Sequence, residues 1–154
     1  MAASKLPAIL DYLVSLFTTA STVGGTGVSV YDGPTVTQEP AQRILWVGID
    51  DPDTDEPETA SSETPWAGLG AQAKNEQVTV WCAAEAWGGE TEVAAIRTAA
   101  FAIYNAAEAL LRADVMLGGL VQFPGVAGVV LRQNQTTQGA VARVSFRIEG
   151  QARI

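Results

Sequence analysis

The strongest constraint on the fold is one long amphipathic segment that spans residues 91–113. Its apolar residues recur at three- and four-residue spacing, so they line one face of an α-helix. They are Val93, Ile96, Ala100, Ile103, Ala107 and Leu110, with Tyr104 and Leu111 beside them. A helix with one apolar face has to cover an apolar surface elsewhere in the chain. The remaining segments must therefore supply a sheet or a helix with a matching face.

Segments of alternating polarity supply that face. A strand is predicted at residues 76–87, where one side is apolar and the other carries larger and more polar residues. The first side has Val78, Val80, Cys82, Ala84 and Ala86, and the second has Thr79, Trp81, Ala83, Glu85 and Trp87. A terminal hairpin is predicted from strands at about 126–134 and 140–151. In its second strand Val144, Phe146 and Ile148 alternate with polar residues, so one face is core and the other is wet.

The first half of the chain adds a helix and two strands. The helix is predicted to begin at about Leu6 with Ser4 as its N-cap, and strands are predicted at 28–31 and 43–49. An acidic, proline-containing connection then runs from about 50 to 75. The order is helix, three strands, helix, two strands. We therefore predict one α+β domain over residues 1–154, with a single mostly antiparallel sheet and both helices packed on it.

The charges of the chain are segregated. The 154 residues have a formal net charge of −8, seven carboxylates fall between positions 50 and 63, and four arginines lie in the last 23 residues against Glu149 alone. Because binding to nucleic acid needs clustered Lys and Arg, this balance argues against a free-standing nucleic-acid binder. Separate acidic and basic surfaces allow copies of one chain to pair head to tail. Two solvated surfaces are the alternative interpretation.

The residue inventory excludes several kinds of chemistry. The sequence contains no histidine and a single cysteine, Cys82. Without histidine there is no His-activated nucleophile, His-ligated zinc or histidine proton shuttle. Cys82 is predicted to be a buried thiol on the apolar side of its strand, as suits a reducing cytosol. We expect no secretion signal, no membrane span, no catalytic residue and no cofactor.

Three motifs in the sequence resemble known kinds of site. Asp51, Asp53 and Asp55 match the first, third and fifth places of a calcium loop, but the sixth place lacks glycine and the twelfth lacks glutamate, so no metal is predicted. The glycine-rich stretch at 24–27 follows a helix, whereas a phosphate loop precedes one, so a helix end and turn are predicted. Glu90 and Glu92 lie at a helix N-terminus, where negative charge is favourable without any catalytic role.

Five residues are predicted to contact other protein chains. Trp66 and Leu69 are large apolar residues within the acidic connection, and Trp87 lies on the strand face opposite the small apolar row. Arg143 and Arg147 are predicted to be exposed together on the outer face of the last strand. Carboxylates of a neighbouring copy would meet them there.

A succession of short segments resembles the tail terminator, or tail-completion, proteins of bacteriophages with long non-contractile tails. The segments, in order after the leading helix, are Val30-Tyr31-Asp32-Gly33-Pro34, Leu45-Trp46-Val47-Gly48-Ile49-Asp50-Asp51-Pro52, Trp66-Ala67-Gly68-Leu69-Gly70, Val80-Trp81-Cys82-Ala83-Ala84, Trp87-Gly88-Gly89, and the stretch from Leu131 to Val144. Together they span nearly the whole chain.

The resemblance implies a non-catalytic structural protein of the virion. It implies a ring, typically of six copies, that caps the head-proximal end of the tail tube and ends its polymerisation. Its partners would be other copies of itself, the tail tube protein and a neck protein. The genome would pass through the ring without specific binding, and assembly would take place in the host cytoplasm without a membrane.

Two alternatives stay open. A neck or head–tail joining protein of the same particle has a similar small α+β architecture and also forms rings. A cytosolic small-molecule binding domain or enzyme with acidic ligands belongs to another class, and it requires convergent polar residues at strand ends. The sequence offers no such set.

Overall fold

The computed structural model describes residues 3–20, 27–34, 41–65, 74–89 and 92–154. It contains two helices and six strands, which confirms the predicted α+β class. They are α1 (Leu6–Thr19), β1 (Ser29–Asp32), β2 (Arg43–Val47), β3 (Ala60–Glu63), β4 (Asn75–Gly88), α2 (Val93–Ala113), β5 (Gln122–Thr136) and β6 (Gly139–Arg153). Neither helix in this part of the chain has the length and apolar character needed to cross a bilayer.

All six strands form one sheet in the order β1-β2-β4-β6-β5, and β3 pairs with β4 beside β2. β1 runs parallel to β2, whereas every other pairing is antiparallel. The prediction of a mostly antiparallel sheet is therefore confirmed. β4 and β6 form the centre of the sheet and pair along their whole lengths, from Asn75 opposite Arg153 to Gly88 opposite Ala140.

β3 is the strand that the sequence did not predict. It lies within the connection expected at about 50–75 and pairs antiparallel with β4, from Ala60 opposite Val80 to Glu63 opposite Gln77. Ser61, Ser62 and Glu63 are all exposed. A strand held by backbone pairing at a sheet edge has no buried side to impose alternation, so a two-residue pattern cannot reveal it.

Both helices cover the same face of the sheet. α1 contributes Ile9, Leu13 and Phe17 to the core, and α2 contributes the buried part of its predicted stripe. Where α2 crosses β4 and β6, the facing residues are small: Ala84, Ala86, Ala100, Ala107, Ala140 and Ala142 are all fully buried. Small side chains let a helix backbone approach a sheet closely, so alanine rather than large apolar side chains fills this part of the core.

The start of α1 is held by β4. The carboxylate of Glu76 is fully buried and accepts a hydrogen bond from the Lys5 amide at 2.8 Å and another from the Ser4 hydroxyl. Ser4 itself accepts from the Leu6 amide at 3.0 Å, although the N-cap position falls on Lys5, one residue after the predicted cap. A carboxylate at a helix N-terminus compensates both the unpaired amides and the helix dipole.

Candidate interaction surface

The face of the sheet opposite the helices is the candidate site. We call it the helix-free face and define it by Trp81, Glu85 and Trp87 of β4 with Arg143 and Arg147 of β6. The registers place Glu85 directly opposite Arg143 and Trp81 directly opposite Arg147. Residues 50–58, which we call the acidic loop, lead from the end of β2 over part of this face.

Arg143 is the centre of a buried ion cluster. Its Nε donates to Glu85 Oε2 at 2.8 Å, and its Nη1 lies 3.1 Å from Asp51 Oδ1 and 3.0 Å from Asp53 Oδ2. The Arg143 side chain is 8% exposed and that of Glu85 5%. Trp87 Nε1 also donates to Glu85. One guanidinium thus joins the central strands of the sheet to the acidic loop.

The electrostatics of the cluster follow from its composition. Burial alone lowers the pKa of the Arg143 guanidinium, but hydrogen bonds and charges from Asp53 and Glu85 outweigh burial and raise it above its ordinary value. Arg143 is therefore charged at neutral pH. A buried carboxylate destabilises a fold unless a cation pairs with it, so the burial of Glu85 requires the charge of Arg143.

Hydrogen bonds between side chains and backbone hold the acidic loop in place. Asp50 Oδ1 accepts from the amides of Asp51 and Glu58, both at 2.8 Å, and the Ser145 hydroxyl donates to the Asp50 carbonyl at 3.1 Å. Asp51 Oδ1 accepts from the Asp53 amide at 3.0 Å. The loop is therefore anchored at both ends and in its middle. Asp55 and Glu56, farther along the loop, are exposed.

Arg147 lies beside this cluster and contacts β5. Its Nε donates to the Ala127 carbonyl at 2.7 Å and lies 3.4 Å from Glu149 Oε1, and its guanidinium is 5.4 Å from the centre of the Trp81 ring. Ala127 falls in the irregular pairing between Val126 and Val129. At Gly128 the backbone has φ +102°, and a Cβ there would lie 3.3 Å from Arg147 Nη2. Glycine is required because of that conformation and this close approach.

Two adjoining grooves separate the acidic loop from β5. The first has a volume of about 460 Å³ and is lined by Thr54, Trp81, Val130, Arg132 and other residues. The second, of about 550 Å³, is lined by Asp53, Trp87 and Arg132 among others. The indole Nε1 of Trp81 is buried and has no hydrogen-bond partner among the described residues. The grooves combine aromatic surface with arginine, and both are enriched at protein–protein interfaces.

The five predicted contact residues differ in their exposure to solvent, and two of them lie outside the described residues. Arg143 is buried at 7% exposure, so the expectation that it is exposed beside Arg147 is wrong: the acidic loop of its own chain covers it. Arg147 has a 40% exposed side chain, and Trp87 is partly buried against Glu85. Trp87, Arg143 and Arg147 share the helix-free face. Trp66 and Leu69 lie outside the described residues.

The candidates for metal and thiol chemistry are also placed. Asp51 and Asp53 turn toward Arg143, and in the described ranges no three His, Cys, Asp or Glu side chains converge to hold a metal ion. Cys82 is fully buried, and burial raises the pKa of its thiol to about 12 against a smaller lowering by a hydrogen bond from the Gly48 backbone. Glu92 is exposed at the N-cap of α2, and Glu90 lies outside the described residues.

Sequence reasoning missed the roles of Glu85 and Arg132 and the exposure of Val129, Val130 and Leu131. A signal for Glu85 was present, since an acidic residue inside the run from Cys82 to Ala86 has few ways to be solvated. The β5 residues carried a signal as well. Three consecutive apolar residues cannot all point into the core from one strand.

The comparisons with known proteins concern the fold. No family model and no curated protein matches the chain. Among solved structures, a chain of a particle described as "Virion of native gene transfer agent (GTA) particle" matches with a TM-score of 0.54 and 10% sequence identity. The match covers 99% of this chain and 100% of that chain. This protein therefore has the α+β fold of that chain over its full length.

Proposed function

We propose that this protein is a structural component of a phage-type virion, and that it acts as a tail terminator. In this role copies form a ring, six in number, that caps the head-proximal end of the tail tube. The ring ends tube polymerisation and presents a surface to the neck protein of the head. It performs no catalysis and carries no cofactor.

The full-length structural match carries this proposal. A chain from a gene transfer agent virion shares the fold over 99% of this chain and 100% of its own length. The succession of terminator-like segments points to the same kind of particle. One of them, Leu45 to Pro52, contains the last three residues of β2 and the start of the acidic loop, including the Asp51 carboxylate that pairs with Arg143. This segment therefore contributes to the ion cluster of the helix-free face.

The charge of the molecule suits a ring that DNA crosses. With a net charge of −8 the protein does not offer the phosphate attraction that would hold a passing genome. Arg143, the most central arginine of the helix-free face, forms ion pairs with three carboxylates of its own chain. The exposed arginines Arg132 and Arg147 line the grooves instead, where a carboxylate of another subunit or of the neck protein would reach them.

Inactivating the gene for this chain in its own particle tests the terminator role. Without a terminator the tube continues to grow, so electron microscopy should show tails of variable and excessive length without heads. Restoring the gene should restore one tail length. Tails of normal length that fail to join heads would contradict the proposal and would assign the chain to the neck. Normal infectious particles would contradict both roles.

A further inference from the structure

The two edges of the sheet differ in length and in polarity. Within the described residues, no strand pairs with the outer edge of β5 or with that of β1. From Val129 to Thr136, β5 keeps one regular register on β6. Its first three residues there are exposed and apolar: Val129 at 42%, Val130 at 50% and Leu131 at 37%. A regular strand edge that carries an exposed apolar stretch is a template for another strand.

The registers place this apolar stretch level with β1 on the opposite edge. One rung of the sheet runs Tyr31–Trp46–Ala83–Ser145–Val130, and the next runs Val30–Leu45–Ala84–Val144–Leu131. β1 is parallel to β2 and β6 is antiparallel to β4, so β5 is antiparallel to β1. A β5 strand placed beside β1 of a second copy would therefore form an antiparallel pair.

The side-chain faces match as well. Tyr31 packs with Trp46 at 4.9 Å between ring centres in the small cluster on the helix-free face, and Val130 shares that face. Val30 packs against the helix-side core, and Leu131 shares the face of Val144 in the same core. Level pairing would place Val130 beside Tyr31 and Leu131 beside Val30. Each apolar row of one copy would then continue into the next.

We propose that β5 of one copy pairs antiparallel with β1 of the next copy, so that the sheet continues from subunit to subunit. The occupant is a second copy because both halves of the contact lie on this one chain, level with each other and with two apolar pairs at its centre. The inference rests on the proposed ring, since repeated contact between two different edges closes only in a cyclic assembly. It goes further by naming the contacting strands and their register.

Paired cysteines test the register. Directly opposite residues of antiparallel strands have Cα atoms about 4.5–5.5 Å apart, which a disulfide spans. Two variants carry matched pairs, Val130→Cys with Tyr31→Cys and Leu131→Cys with Val30→Cys. Two controls use the same residues in swapped pairs, Val130→Cys with Val30→Cys and Leu131→Cys with Tyr31→Cys, whose side chains would point to opposite faces. Cys82 is fully buried, so its thiol is not accessible to the oxidant in the folded protein.

The concentrated protein is oxidised with copper phenanthroline and run on a denaturing gel, and native mass spectrometry records assembly before oxidation. We expect a cross-linked ladder from both matched variants, and monomer from both swapped controls. The second matched pair keeps the test valid if Tyr31→Cys disturbs folding. Rings that give no ladder from matched pairs would overturn the inference and leave the proposed function standing. The inference would also be overturned by ladders from the swapped pairs or by protein that stays monomeric at every concentration. A third such result is a cross-linked dimer from the single variant Val130→Cys, since it would show that β5 pairs with β5.

Discussion

At the scale of single residues, Arg143 decides how the helix-free face is organised. The sequence places it correctly on the face opposite Val144, but it does not show that the acidic loop folds back over that face. The partners Asp51 and Asp53 are 92 and 90 positions away in the chain. Alternation along a strand predicts the face of the sheet to which a side chain points, but it does not predict which segment of the chain packs over that face.

Replacing Arg143 should destabilise the fold. Arg143→Ala leaves Glu85 buried beside the sheet without a cation, and breaking a buried pair in this way costs about 3–5 kcal/mol. The free energy of unfolding from urea denaturation measures the loss. Arg153→Ala, on an exposed residue of the same strand, is the matched control and should change it by less than about 0.5 kcal/mol. Equal effects of the two changes would show that the cluster contributes nothing.

At the scale of elements, the predicted α2, β4 and terminal hairpin are recovered with ends that differ by a few residues. α2, β4 and β6 each turn a periodic row of apolar residues toward the core, and that row predicts them, although residues 82–86 and 142–146 are buried on both faces of the sheet. β1 and β3 are four residues long and lie at the edge, where backbone pairing holds them. The parallel orientation of β1 was not predictable either, because orientation depends on the path of the intervening chain.

The contact between the two helices has a pH dependence of its own. The Tyr12 hydroxyl of α1 donates to Asp114, whose carboxylate also accepts from the amides of Met116 and Gly118 after α2. The hydrogen bond from Tyr12, together with the backbone amides, lowers the pKa of Asp114 below its ordinary 3.8. The hydrogen bond to Asp114, followed by burial, raises the pKa of Tyr12 above 10.0.

These shifts set the window in which the contact stabilises the protein. A lowered carboxyl pKa contributes stability above about pH 3.8 that is lost as the pH falls through the folded value, and a raised phenol pKa contributes stability that is lost above about pH 10. The wild type should therefore melt above Tyr12→Phe at pH 7, and the difference should shrink toward pH 3. A melting-temperature difference independent of pH would contradict this assignment.

At the scale of the whole molecule, the sheet divides the protein into a side covered by the helices and a helix-free side. The helices and the alanine-rich core occupy one side, and the acidic loop, the grooves and the exposed arginines occupy the other. The sequence predicts that division from alternation alone. It cannot predict the grooves, because they arise where the acidic loop and β5 approach the sheet from different parts of the chain.

The central claim is that copies of this chain close into a ring, and native mass spectrometry of the purified protein over a concentration series tests it most directly. We predict a closed species of six times the 16.1 kDa chain mass that grows with concentration, with no larger open-ended series. The two edges of the sheet, both used in the closed ring, would then leave none for further growth. A monomer at every concentration, a dimer as the end state, or a ladder of ever larger oligomers would contradict the account.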